Sequence, residues 1–233
     1  PKKEFSPVGR AEVLRKLYKR YTRPSGMLFP YLTDATGFSD TVMDQLYEAA
    51  WSCTGCRRCM VNCPFGIDTG MMMSVAKHLL VANGTAPEDL IMLADAAVEK
   101  GKSIDEFKEG FSNVIHDLEK TVQQKLGLPS PDNLIPLEKM NADIMYVGLA
   151  GAHSIVNPAV IFNAAKENWT LSFFEGVNFG FFAGDPVKAD FIAQRIISEA
   201  VSLKVKEVVM VECGTAFRIL HSLMGDLPFK VSS

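Results

Sequence analysis

The segment Cys53-Thr54-Gly55-Cys56-Arg57-Arg58-Cys59-Met60-Val61-Asn62-Cys63-Pro64 constrains this chain more than any other stretch. Its spacing, C-x2-C-x2-C-x3-C-P, is the ferredoxin-type run for [4Fe–4S] clusters. Three closely spaced thiolates can grip three corners of one cubane when the loop between them folds around it. Backbone N–H groups then point at the sulfurs, and a small residue such as Gly55 permits that close approach. Pro64 turns the chain after the fourth thiol. Structural zinc takes two ligand pairs separated by a longer loop, which this run lacks. A thioredoxin-type Cys-x-x-Cys follows a strand and has no need of four thiols. Cys213 alone stands apart among the five cysteines of the 233-residue chain, a distribution that does not suit a disulfide framework.

The fourth thiol leaves a choice. In two-cluster ferredoxins it ligates the other cluster, whose three companions come from a second run, and no second run exists here. Cys53, Cys56 and Cys59 are assigned to one cluster. Cys63 either closes that cluster or serves a second one completed outside this chain. A remote ligand for the first cluster is the third option, and only Cys213 could supply it. Arg57 and Arg58 either favour the reduced, more anionic cluster or simply sit on an exposed loop.

Composition narrows the class. With 48% hydrophobic and 22% charged residues the chain reads as globular. No stretch reaches the roughly 18 uninterrupted apolar residues of a membrane helix, and no signal-peptide pattern opens the chain. The expected setting is cytoplasmic, at the inner face of a membrane through partners. Pro1 to Pro30 carries eight basic residues (Lys2, Lys3, Arg10, Arg15, Lys16, Lys19, Arg20, Arg23) against Glu4 and Glu12. That segment is +6, which leaves −9 for the remainder of a chain of net charge −3. It reads as a solvated helix face or as a dock for an acidic partner or an anionic membrane. No DNA-binding motif accompanies it, so nucleic acid is not an expected partner.

Periodicity predicts helices over 8–21, over 40–51 capped by Ser39, over 71–81 capped by Asp68 or Thr69, and from Pro87 onward. Asn83-Gly84 is the expected stop of the third. Ser103 with Glu106 is a capping-box pattern for a long helix ending near Leu126-Gly127. The proline-rich stretch 129–142 suits a linker. Beyond it, apolar runs at 144–147, 170–174 and 207–211 suit buried parallel strands. They alternate with helical patterns at 159–167, 187–203 and 215–224, a three-layer α/β arrangement. Residues 227–232 begin like a further strand. The absence of a covering helix, and a start at Pro1 without Met, suit a piece of a longer polypeptide.

The run CTGCRRCMVNCPFGID, the helical stretch after it and VVMVECGTAFRIL together resemble the heterodisulfide reductase-like family of iron–sulfur oxidoreductases. The resemblance covers most of the chain from about Ser39. It implies an α plus α/β fold: a helical, ferredoxin-like iron–sulfur domain over 39–128 after a basic segment 1–38, then a parallel α/β module over 143–233. Those modules are named for a Cys-Cys-Gly signature that can hold a further cluster. Here Gly148-Leu149-Ala150 and the turn Glu175-Gly176-Val177-Asn178-Phe179-Gly180 carry no thiol, and only Cys213 of Glu212-Cys213-Gly214 matches.

The glycines of 176–184 and Gly148-x-x-Gly151 are weak as phosphate cradles and are expected to be tight loops at strand ends. Cys213 before a helix N-terminus reads as an activated thiolate or as a small buried residue. Of the four histidines, His153 in a strand-end loop is the least bland. The expected function is an electron-relay subunit of an anaerobic oxidoreductase, passing electrons through a [4Fe–4S] cluster between a flavin or iron–sulfur partner and an acceptor. The alternatives are a thiol or disulfide reductase using Cys213, and a binding module with a structural cluster.

Overall fold

A computed structural model of the chain describes residues 3–130, 132–148, 151–174, 177–210, 213–223 and 227–233. The chain divides into two compact units, Pro1–Leu90 with Phe181–Pro186, and Ile91–Gly180 with Val187–Ser233.

The first unit is helical: α1 (Pro7–Thr22), α2 (Pro24–Leu28), α3 (Asp40–Trp51), α4 (Arg58–Val61) and α5 (Thr69–Ala82). Local signals set the ends of the main helices. Ser6 and Ser39 hydroxyls accept the N–H of Gly9 and Val42, and the Asp68 carboxylate accepts that of Met71, so one orphan donor at each N-terminus is satisfied. Asn83 caps the end of α5. Helices α1, α3 and α5 bury Leu17, then Leu46, Ala49 and Ala50, then Met73, Ala76 and Leu80 against one another, with Cys53 at the edge of this core. The apolar spacing of three and four residues keeps each set on one stripe.

The second unit carries α6 (Glu88–Lys102, entering it at Ile91), α7 (Ile104–Leu126), β1 (Ile144–Tyr146), α8 (Ala152–Ala165), β2 (Trp169–Leu171), α9 (Val177–Ala183), α10 (Pro186–Leu203), β3 (Glu207–Val209), α11 (Gly214–Leu223) and β4 (Lys230–Ser232). The four strands are parallel in the order β2-β1-β3-β4. Tyr146, Trp169 and Leu171 share a core with Ile115 and Val122 of α7 and Ile155, Val156 and Ala159 of α8. Met145 and Val208 are also fully buried; alternation along the strand puts Met145 on the face opposite Tyr146. A sheet buried on both faces is what continuous apolar strands require.

Several expectations are corrected. The helical pattern expected from Ala159 begins at Ala152, through Pro158, so His153 lies in the first turn of α8 and not in a loop. Pro158 has no N–H for the Ser154 carbonyl one turn back; the buried Tyr146 hydroxyl donates to that carbonyl at 2.8 Å instead. The glycine-bearing segment expected as a turn is α9 from Val177 to Ala183. Gly180 serves there as a close-packing site, since a Cβ on it would stand 2.5 Å from the Ala189 backbone nitrogen. Ser103 does not form a capping box: its hydroxyl makes no cap bond and its ψ of 44° is not extended. The Ser103 N–H still donates to Glu99 O at the end of α6, which holds the residue out of the cap conformation. Leu149, Ala150, Glu175, Gly176 and Glu212 lie outside the described residues.

The edge strand β2 is covered. Leu171 N–H donates to Pro136 O at 2.8 Å and the Thr170 hydroxyl to the same carbonyl, while Leu134 and Ile135 from the 129–142 segment enter the core. Just past β2, Phe173 N–H and the Ser172 hydroxyl both donate to the Glu199 carboxylate of α10. Burial pushes this carboxyl up to about 7 against those bonds. Because the folded value is raised, the folded state holds a proton that the unfolded chain has lost between about pH 4.5 and 7, and stability falls as pH rises through that window. We predict a loss of about 3 kcal/mol across it, seen as a falling denaturant midpoint, and a flattened slope in Glu199→Gln. An unchanged slope in that variant would refute the assignment.

Candidate functional site

The cysteine run follows α3, whose last turn hands the chain to Cys53 through Cys53 N–H donating to Ala50 O. Cys53 is buried, Cys56 exposed, and Cys59 and Cys63 half-buried; all are free thiols. Two left-handed residues, Gly55 (φ 68°) and Arg57 (φ 57°), wind the loop between them into the single turn of α4 that bears Cys59. Gly55 is required for a second reason: the Phe181 ring lies so close that a Cβ would stand 2.9 Å from it.

Backbone amides face two of the sulfurs. The Arg58 N–H holds the Cys56 thiol below its ordinary range, helped by the Thr54 hydroxyl and the Arg58 charge. The N–H groups of Ile67, Phe65 and Gly66 do the same for Cys63, in the turn that Pro64 starts and the Gly66 N–H closes onto Cys63 O at 3.0 Å. Both sulfurs are thus prepared as thiolates. Arg57 is not a free loop cation: its Nε pairs with Asp68 Oδ2 at 2.8 Å while Asp68 caps α5, so one carboxylate ties the loop to the helix. Among the described residues no three His, Cys, Asp or Glu side chains converge on one metal position. Convergent thiolates repel one another, and it is the metal's binding free energy that draws such ligands together.

The site also contains a residue that sequence reading passed over. Lys77 of α5 is 4% exposed, and its ammonium donates to Cys53 O at 3.0 Å. Burial pushes it below the ordinary lysine range, while a Cys53 thiolate works the other way. Its remaining described contact is the Phe182 ring, 6.0 Å away, and no carboxylate pairs with it among the described residues. The Trp51 indole N–H, two residues before Cys53, is buried without an acceptor. A buried cation and a buried donor beside prepared thiolates suit an anionic, thiolate-held group. The signal was present in the sequence: Lys77 interrupts the stripe Met73, Ala76, Leu80. The cover supplied by 181–184, from His78 Nδ1 against Gly184 O to Phe181 on Gly55, joins residues over a hundred positions apart and was not legible.

Cys213 lies in the other unit, at the C-terminal side of β3 and the start of α11, where its sulfur accepts Ala216 N–H at 3.4 Å. Strands β1 and β3 are neighbours from which the chain runs to opposite sides of the sheet, the switch point at which open α/β sheets place ligands.

By sequence the chain is related to the Hdr-like iron–sulfur proteins, the class its cysteine run and Cys213 segment resemble. It is 28% identical over 95% of its length to the Hdr-like menaquinol oxidoreductase iron–sulfur subunit 2 of Archaeoglobus fulgidus. It is 26% identical, again over 95%, to the Hdr-like menaquinol oxidoreductase iron–sulfur subunit of Archaeoglobus profundus. The chain spans 41% of the length of each of these relatives. No family model matches it, and no solved structure matches significantly.

The cap geometry predicts an asymmetry between two variants. Asp68→Ala, which removes both the cap of α5 and the partner of Arg57, costs about 1–2 kcal/mol of stability. Arg57→Ala, which breaks only the partly exposed pair, costs under about 1 kcal/mol. Denaturant unfolding followed by circular dichroism separates them; equal losses would show that the cap carries nothing.

Proposed function

We infer that this chain is the iron–sulfur electron-transfer part of a multi-subunit oxidoreductase. A [4Fe–4S] cluster is held by Cys53, Cys56 and Cys59, with Cys63 as the thiolate that closes it or serves a second cluster. The observation that carries this reading is the buried, carboxylate-free Lys77 ammonium against Cys53. When bound, the cluster supplies one-electron carriage at a single site. The chain's own residues do the rest. The amides of Arg58 and of residues 65–67 hold sulfurs as thiolates. Lys77 offsets negative charge and favours the more reduced state. Phe181 covers the loop at Gly55. The relatives' names point to menaquinol as the reductant of the complete assembly, with other oxidoreductase subunits, flavin or iron–sulfur, as this chain's electron partners. A second reading rests on Cys213 at the start of α11: thiol or disulfide chemistry in the α/β unit.

Anaerobic reconstitution tests the first reading. It predicts about four irons and four acid-labile sulfides per cluster with a paramagnetic signal on reduction, lost in Cys53→Ser and in Cys56→Ser. Stoichiometric zinc without sulfide would overturn it. Lys77→Met is predicted to keep the iron and to shift the reduction potential downward in a redox titration; an unchanged potential would remove Lys77 from the site. Turnover with natural donor and acceptor that survives Cys213→Ser would dismiss the second reading.

A further inference from the structure

The loop after α1 presents apolar side chains to solvent. Leu28 is 72% exposed, Tyr31 96% and Leu32 80%, with Met27 and Phe29 about half exposed. Burying such groups in the protein would stabilise it, so a contiguous exposed set marks a surface that meets something apolar. The loop is built rather than loose. Arg20 Nη1 donates to Met27 O at 2.8 Å and to Gly26 O, and Lys19 Nζ donates to Thr33 O at 3.1 Å. The cations are thus fastened to the base of the loop by its carbonyls while its side chains stay outside.

The charges at this base are not neutralised. Arg15 and Lys16 engage Asp34, and Arg15 also engages Glu12. Those two are the acidic residues between Phe5 and Ser39. Lys19, Arg20 and Arg23 have no carboxylate within ion-pair distance among the described residues; Arg23 lies over the Tyr18 ring instead. Beside it, Tyr18 and Tyr21 line an apolar groove of about 470 Å³ with Phe38, Val75 and Leu79.

We propose that the 27–32 loop and the cations Lys19, Arg20 and Arg23 form a docking surface for an anionic lipid bilayer. Aliphatic and aromatic side chains at the tip enter the boundary between headgroups and acyl chains, and the cations behind them sit at the level of the phosphates. Charge complementarity selects this occupant: an apolar patch for a protein core excludes unpaired cations, whereas an anionic interface requires them next to the apolar tip. No helix among the described residues is long and apolar enough to cross a membrane, and this mode of contact needs none. The proposal does not depend on the cluster or on Cys213.

The full chain, prepared without oxygen, is sedimented with vesicles of phosphatidylglycerol and, separately, of phosphatidylcholine. It is expected to bind the anionic vesicles, to leave the neutral ones in the supernatant, and to be released by salt. The combined variant Leu28→Ser, Tyr31→Ser, Leu32→Ser touches only exposed side chains, so its circular dichroism should be unchanged while vesicle binding is lost. The combined variant Lys19→Gln, Arg20→Gln, Arg23→Gln should bind about a hundredfold more weakly. Absence of binding to phosphatidylglycerol, equal binding to both vesicles, or binding untouched by the loop variant would overturn the proposal. Loss of a co-purifying subunit in the loop variant with vesicle binding intact would do so as well, and would assign the surface to a protein partner.

Discussion

The contact between the Lys77 ammonium and the Cys53 carbonyl governs the character of the helical unit. Removing an ammonium from water costs several kcal/mol even after the protein relaxes, and one hydrogen bond to a carbonyl returns about 1.5–3 kcal/mol of that. The remainder needs a negative charge at close range. Every element around this point serves the requirement: α3 delivers Cys53, α5 delivers Lys77 from its buried stripe, and the 181–184 segment seals the ammonium with Phe182. In the proposed function the missing charge is that of the thiolate-bound cluster, and the same electrostatic term that makes Lys77 tolerable would set the ease of reduction.

The loop bearing the thiols is organised by backbone geometry before any metal arrives. Left-handed turns at Gly55 and Arg57 reverse the chain twice within five residues, and the amides released by those reversals face the sulfurs. The Arg57–Asp68 pair then joins this loop to the first turn of α5. Loop shape and helix start therefore share one carboxylate, so a disturbance at either is felt at both.

The α/β unit solves a different problem, the satisfaction of polar groups around a short parallel sheet. Tyr146 answers the carbonyl left open by Pro158, Pro136 answers the edge of β2, and Glu199 answers the amide beyond it. The last solution leaves a carboxyl poised near neutral pH. Cys213 occupies the switch point of this sheet, a placement consistent with either relay or thiol chemistry in the complete assembly.

What the amino-acid order determined by itself was local. The caps at Ser39 and Asp68, the stop at Asn83, the strand cores at 144–146 and 207–209 and the spacing of the four thiols all follow from neighbours within a few positions. Those rules act through hydrogen bonds and side-chain periodicity that any short segment carries with it. The tertiary structure decided the rest. Pro158 sits inside a helix because a tyrosine twelve residues away completes the bonding, and 177–183 is helical where its glycines read as a turn, with Gly180 packed close on Ala189. Lys77 was visible as an oddity on an apolar stripe, but its meaning required knowing that Cys53 and Phe182 surround it. Contacts between residues distant in sequence decide burial, and burial decides what a charge there must do.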